Sequence, residues 1–232
     1  GIPLTRLTYF VDRPYPASKH VSYWTASARD ADTDSPFVPN DEVDDIDWLS
    51  PEAAAERLTY HRDRGVLDDF VRATRAQAHH SRPLVILRHA AAEPRRQWPG
   101  PDATRPLTKA GRLSAEQLVP ALGAYGIKRI VSSDASRCIE TVEPYANERD
   151  RPIVLAPELS EDKATRSAVT ALAESWRERH RRVVLCTHRP VLPWVFDALG
   201  LPDPALPPGG IVVAHRLDGV VVAVESPAHG GA

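Results

Sequence analysis

The chain has 232 residues, enough for one large domain or for one of ordinary size with part of another. Hydrophobic residues make up 42% and charged residues 26%, which excludes a disordered chain, and a net charge of -2 excludes the strongly basic footprint of a nucleic-acid binder while leaving room for a local anion pocket. Its two cysteines cannot build a disulfide framework or a zinc site, and no stretch has the ~18 apolar residues of a membrane span or the plan of a signal peptide, so a soluble, cytoplasmic protein is expected.

From Leu7 to Trp48 the chain reads as strands. "VSYWTA" (21–26) and "VDDIDWL" (43–49) carry β-favouring residues between clusters of Pro, Asp, Asn and Ser. Ser50 and Pro51 then supply a helix N-cap and a first-turn proline, and the residues that follow have helical period, with Val66, Leu67, Phe70 and Val71 on one stripe. The polar residues 79–83 read as a linker between a domain over 1–78 and a second over 84–232. In the second, short apolar strands at 84–87, 129–133, 152–155 and 183–187 alternate with helical segments at 108–123, 135–147, 164–179 and 190–199. Two more strands, "IVVAH" and "VVVAV", are expected near the end. This alternation predicts an α/β fold, a three-layer α/β/α sandwich on a largely parallel sheet. "LPDPALPPGG" (201–210) reads only as a proline-rich loop.

Sites in open α/β sheets form beyond the carboxyl ends of strands, and three of these strands end in polar groups suited to one task. "LVIL" runs into Arg88 and His89, "RIVSS" leads through "DASR" to Arg137, and "VVLCT" runs into His188. Guanidinium forks pair with phosphate oxygens, and histidines either donate to them or attack phosphorus. His89 is expected to be the nucleophile, held as one neutral tautomer, and Arg88, Arg137 and His188 to bind the equatorial oxygens without a metal. Glu161, in "ELSED", is the expected general acid, with Glu158 and Asp162 as close competitors. Taken singly, His89 or His188 could be a satisfied structural histidine; their convergence with two arginines favours chemistry. Arg105 and Lys109 could approach the substrate but read more simply as the exposed basic start of a helix capped by Thr108, Cys186 reads as core packing, and the acidic run from Asp41 to Asp47 as a solvated strand face.

The ordered motifs "LRHAAA", "RPLTKAG", "SSDASRCIETVEPYA", "LSE" and "CTHRP" resemble the histidine phosphatase superfamily, in the small bacterial branch of SixA-like phosphohistidine phosphatases. The likeness extends roughly from Arg82 to Val224. It implies a phosphohistidine on His89, phosphate arginines at Arg88 and Arg137, a second histidine at His188, and no cofactor for this domain. Ala90 stands where the wider superfamily has glycine, a change that SixA-like members share. The first third is similar to the part of an α+β Nudix hydrolase of MutT type that follows its metal-binding helix, and Gly1-Ile2 resembles the last two positions of the Nudix box. The order Nudix then histidine phosphatase resembles two-domain MutT proteins of actinobacteria, which implies hydrolysis of 8-oxo-(d)GTP to 8-oxo-(d)GDP and cleavage of diadenosine polyphosphates. That resemblance makes Glu42 a Mg²⁺ ligand completing a site whose box glutamates this chain lacks, and makes Tyr15, Lys19 and Tyr60 contacts of the nucleotide. It also implies a small-molecule nucleotide or phosphomonoester substrate, no nucleic acid or membrane partner, and a missing N-terminal Nudix piece or second copy as companion.

Two rival readings stand beside this one. The second domain could be a phosphatase of protein phosphohistidine, or an idle interaction module attached to a Nudix enzyme. Both histidines and both arginines are kept, which argues against idleness because burying such groups without a ligand is costly.

Overall fold

The computed structural model describes residues 2–4, 7–11, 17–26 and 37–226, and the chain divides into two units between His80 and Ser81. In the first unit, β1 (Leu7–Val11) and β2 (Ala17–Val21) pair antiparallel, Leu7 opposite Val21. The ladder continues as a single bridge between Pro3 and Trp24, so of the strand expected at 21–26 only Val21 belongs to β2. The expected strand at 43–49 is absent. The Asn40 side chain accepts from the Glu42 and Val43 N–H groups and turns the chain there, and Asp41, Asp44, Asp45 and Asp47 leave too little apolar surface to bury either face. Helices α1 (Pro51–Arg57) and α2 (His61–Arg75) follow. Ser50 caps α1, accepting from the Ala53 N–H, and the Val66–Val71 stripe of α2 is half-buried.

The first strand of the second unit opens two residues earlier than its apolar run suggests. Ala78–His80 forms one 3₁₀ turn, and β3 spans Arg82–Arg88, so most of the expected linker is structured. Pro83 is tolerated because it stands at the start of the strand. The other elements are α3 (Lys109–Ala124), β4 (Arg129–Ser132), α4 (Ser136–Glu148), β5 (Ile153–Leu155), α5 (Arg166–Glu178), β6 (Val183–Thr187), α6 (Leu192–Ala198), β7 (Ile211–Leu217) and β8 (Val220–Glu225). They build one sheet in the order β5-β4-β6-β3-β7-β8. Its first four strands are parallel and the last two antiparallel.

Alternation along the strands makes the layers. Leu84 and Ile86 point with Val183 and Leu185 into a core covered by α5 and α6, including Val169, Trp176, Val195 and Phe196. Val85 and Leu87 point with Val184 and Cys186 to the opposite face, under Leu118 and Leu122 of α3 and Val142 and Tyr145 of α4. A period of two with both faces apolar is what a central parallel strand requires. Arg216 in β7 is also buried, its guanidinium held by the carbonyls of Trp176, Arg177, Arg179 and Arg181 at the end of α5. Carbonyls at a helix C-terminus carry partial negative charge and suit a cation. Among the described residues no helix is long and apolar enough to cross a membrane.

Candidate active site

The carboxyl ends of β3 and β6 lie side by side, and the His89 N–H donates to the Thr187 carbonyl at 3.0 Å. Around this seam the local sequence fixes the backbone. The proline-rich loop proves to be a cradle: Gly210 accepts from the Arg88 N–H, Gly209 donates to the Arg88 and His89 carbonyls, and Leu206 O accepts from Arg88 Nη1 at 2.8 Å. Gly209 sits at φ +77, a conformation side-chain-bearing residues rarely adopt. On the other side, α3 approaches so closely that a Cβ on Gly111 would lie 2.0 Å from Ala91 O. That explains the glycine of "RPLTKAG". From α4, Thr141 Oγ1 accepts from the Ala90 N–H and Glu140 accepts from the Leu107 N–H, so the helix that carries Arg137 also tethers both neighbouring loops.

Within this frame the His89 and His188 rings stand 5.2 Å apart, edge to face. His89 Nδ1–H donates to Ala90 O at 2.7 Å, which leaves the Nε2 lone pair free to attack. His188 Nε2 lies 2.8 Å from Ser133 Oγ. Arg137, 1% exposed, donates through Nη1 to Asp102 O at 2.8 Å and through Nη2 to Glu161 Oε2 at 3.3 Å, and its Nη2 forms an ion pair with Asp102 Oδ2 at 3.0 Å. Glu161 Oε2 is also 3.9 Å from His188 Nδ1. The adjoining cavity is walled by Arg95, Asp102, Arg137, Glu161, Asp162 and His188, among others. Glu158 is not in its wall, so of the three acid candidates Glu161 alone touches both Arg137 and His188.

Burial is the largest influence on both histidines. With Arg137, Arg88 and Arg105 it pushes His89 down to about 4, against the Ala90 hydrogen bond. With Arg137 and His89 it pushes His188 down to about 3, against Asp102. Both rings are therefore neutral at pH 7, as a nucleophile must be. Three buried nitrogens, Arg88 Nε, Arg137 Nε and His188 Nδ1, have no hydrogen-bond partner. Unsatisfied buried polar atoms cost about 1–3 kcal/mol each, and the two guanidinium nitrogens among them can donate only to a group that carries acceptors.

Sequence reasoning missed Asp102 and misread Arg105. Arg105 is not an exposed helix start: its side chain is 13% exposed, its Nε donates to Asp102 Oδ1 at 2.9 Å and its Nη1 to Glu93 O at 2.7 Å. Asp102 thus meets Arg95, Arg105 and Arg137. Burial works to raise its carboxyl, but Arg105, Arg137 and Arg95 outweigh it and hold the group below the ordinary aspartate value. The only signal was the position of "PDATRPL" just before a motif.

The first-unit candidates are not gathered in this way. Tyr15 lies outside the described residues. Lys19 is exposed on β2 opposite Tyr9, Glu42 is exposed in the Asn40 turn, and Tyr60 is exposed at the start of α2 with the Arg62 guanidinium 4.3 Å from its ring centre. Among the described residues no three His, Cys, Asp or Glu side chains group as a metal site. Glu42 and its described neighbours therefore do not by themselves form a Mg²⁺ site.

A three-layer α/β unit that brings two arginines and two neutral histidines to one sheet edge has the layout of a histidine phosphatase domain, a class of phosphoester hydrolases. Residues 84–166 match the histidine phosphatase superfamily (branch 1). The chain is 36% identical over 203 residues to the 8-oxo-(d)GTP phosphatase of Mycolicibacterium smegmatis, a match that takes in 85% of this chain and 58% of that protein, so the chain spans little more than half of its relative's length. SixA of Agrobacterium tumefaciens, named as a phosphohistidine phosphatase, matches with 25% identity and a TM-score of 0.51 over 63% of this chain and 99% of its own. A SixA protein histidine phosphatase complexed with tungstate matches at 22% identity and a TM-score of 0.50 over 62% of this chain and 97% of its own, a likeness of fold.

Proposed function

We propose that the second unit hydrolyses small phosphorylated molecules through a phosphohistidine on His89, and that it belongs to a protein that sanitises oxidised guanine nucleotides. The observation that carries the mechanism is His89 itself, neutral, with Nδ1–H bound to Ala90 O, Nε2 free, and the His188 ring 5.2 Å away. His89 Nε2 attacks phosphorus while the bond to the leaving oxygen breaks. Arg88, Arg137 and His188 offset charge on the equatorial oxygens, and the Glu161 carboxyl gives its proton to the leaving oxygen. Water then attacks the phosphohistidine, Glu161 takes the proton back, and orthophosphate leaves.

The substrate reading is supported by the 36% identity to an 8-oxo-(d)GTP phosphatase, whose breadth takes in the first unit as well. In this reading the first unit is the C-terminal part of a Nudix domain, and it works on Mg²⁺-nucleotide only with the box helix supplied from elsewhere. Glu42, Tyr15, Lys19 and Tyr60 would then contribute at its edge. Cleavage of diadenosine polyphosphates would belong to that assembled protein. The likeness to SixA supports a second reading, removal of phosphate from protein histidine.

The test is covalent trapping. Rapid quench with ³²P-labelled substrate should give an acid-labile, base-stable phosphoenzyme in the wild type and none in His89→Ala. A label that persists in the variant sinks the assignment. Running 8-oxo-dGDP, 8-oxo-dGTP and a phosphorylated histidine phosphotransfer domain side by side separates the two substrate readings.

A further inference from the structure

His188 reaches back from the pocket into a line of buried hydroxyls whose protons can be counted. Asp134, in the turn after β4, is a carboxylate and can only accept. Ser160 donates its one hydroxyl proton to Asp134 Oδ1, so at its 3.0 Å contact with Ser133 Oγ it can only accept. The Ser133 proton therefore points to Ser160. Ser133 Oγ, which already takes the Ala135 N–H at 3.2 Å, is left as an acceptor for His188 Nε2 at 2.8 Å. Ser133, Ser160 and His188 are each 1% exposed or less, so bulk water does not substitute for any link. The far end of the line is fixed by Lys163, which donates to the other Asp134 oxygen.

We propose that Asp134, Ser160 and Ser133 are positioning residues that hold the proton of neutral His188 on Nε2, so that Nδ1 takes up a proton together with the phosphate and not before it. This rests on the phosphatase reading of the site. With Nδ1 bare, the empty ring offers a phosphate dianion no donor; a phosphate monoanion instead passes its P–O–H proton to Nδ1, leaving a dianion beside an imidazolium. The groups that face the ring are Arg137 and Cys138 from α4, His89 beyond β3, Asp102 and Arg105 ahead of α3, and Glu161 beyond β5. Burial, Arg137 and His89 keep the empty site neutral. The phosphate charges, with the Asp134 carboxylate behind the hydroxyls, reverse that balance once substrate is bound. Cys138 Sγ, 3.4 Å from Nε2, is a weak second acceptor for the same proton.

The experiment is ring ¹⁵N correlation spectroscopy on the full chain, labelled at histidine and assigned with His188→Gln, with and without orthophosphate. Wild type and Lys163→Ala should show a protonated Nε2 and a bare Nδ1, and orthophosphate should protonate both nitrogens of the wild type. Ser160→Ala and Asp134→Ala each release a hydroxyl proton toward Nε2, so both should switch the ring to Nδ1–H. Asp134 is only partly buried, so that variant decides the matter even if Ser160→Ala fails to fold. Turnover of p-nitrophenyl phosphate by the same two variants should fall about tenfold in kcat, the worth of one buried hydrogen bond, with KM within about twofold and the alkaline limb moved to lower pH. An Nδ1–H ring in the wild type, or an unchanged tautomer in Asp134→Ala, overturns the proposal. A wild type with the expected tautomer and no ester turnover would remove the phosphatase reading while leaving the relay in place.

Discussion

Acidifying the protein should destabilise it through the two pocket histidines, by an amount the structure sets. Their unfolded value is ~6.5, and the folded values are about 4 for His89 and about 3 for His188. Between roughly pH 6.5 and 4 the unfolded chain therefore binds one more proton per ring than the folded chain, so stability is present above ~6.5 and is lost as the pH falls. The slope below ~6.5 is about 1.4 kcal/mol per pH unit for each ring. Going from pH 7.5 to 5.5 spends about one unit in that window, a loss of about 2–3 kcal/mol for the pair, with fully buried His188 carrying the firmer share. At roughly 2–4 °C per kcal/mol for a unit of this size, Tm should drop by about 4–12 °C. Thermal unfolding of wild type and a His89→Asn/His188→Asn variant at both pH values is the assay, because carboxylates common to the two cancel in the difference. An equal drop in both proteins would refute the reasoning.

Three further outcomes follow from the same geometry. Phosphate release from a generic monoester should survive EDTA, since Arg88, Arg137 and His188 supply the charge on the equatorial oxygens; a complete loss restored by Mg²⁺ points to another mechanism. Glu161→Gln should slow alkyl phosphates by about 10²–10⁴ while barely affecting aryl phosphates with good leaving groups, and equal slowing of both would move the acid role elsewhere. Arg216→Met should cost about 2–3 kcal/mol in denaturant unfolding, because the carbonyls at the end of α5 lose a charged donor; a change under about 0.5 kcal/mol would show that water replaces it.

The second unit was legible because its signals are local and repeated. Leu84–Leu87 and Val183–Cys186 are apolar on both faces, which only a central strand needs, and the polar residues that follow them stand where α/β sheets bind ligands. Thr108 and Gly111 also acted as their chemistry suggests, one as a cap and one where no Cβ fits. What could not be read depends on partners distant in the chain. Arg105 looked exposed because nothing in "TRPLTK" tells of Asp102 and Glu93 O, and Ser133 and Ser160 became legible only once β4 and the loop after β5 set them beside His188. In the first unit, a β-favouring composition at 43–49 was outweighed by an acidic run that cannot be buried. Lys19, Glu42 and Tyr60, carried over by resemblance alone, fall on separate elements.

Asp102 also bears on what the proposed phosphate site demands of a fold. Arg88, Arg105 and Arg137 crowd the end of one sheet, and left without counter-charge they would repel one another in a medium that screens poorly. Asp102 supplies that charge: its backbone carbonyl and carboxylate occupy Arg137 Nη1 and Nη2 and its other oxygen holds Arg105 and Arg95. Of the three Arg137 nitrogens, Nε alone is left without a partner. A phosphate reaching this guanidinium must displace or share those contacts, which weakens substrate and product binding alike. Uniform weakening of this kind does not slow the chemical step, because only interactions stronger in the transition state than in the ground state accelerate it. In the proposed phosphatase cycle, the carboxylate that offsets the arginine charges would thereby also hasten the departure of orthophosphate.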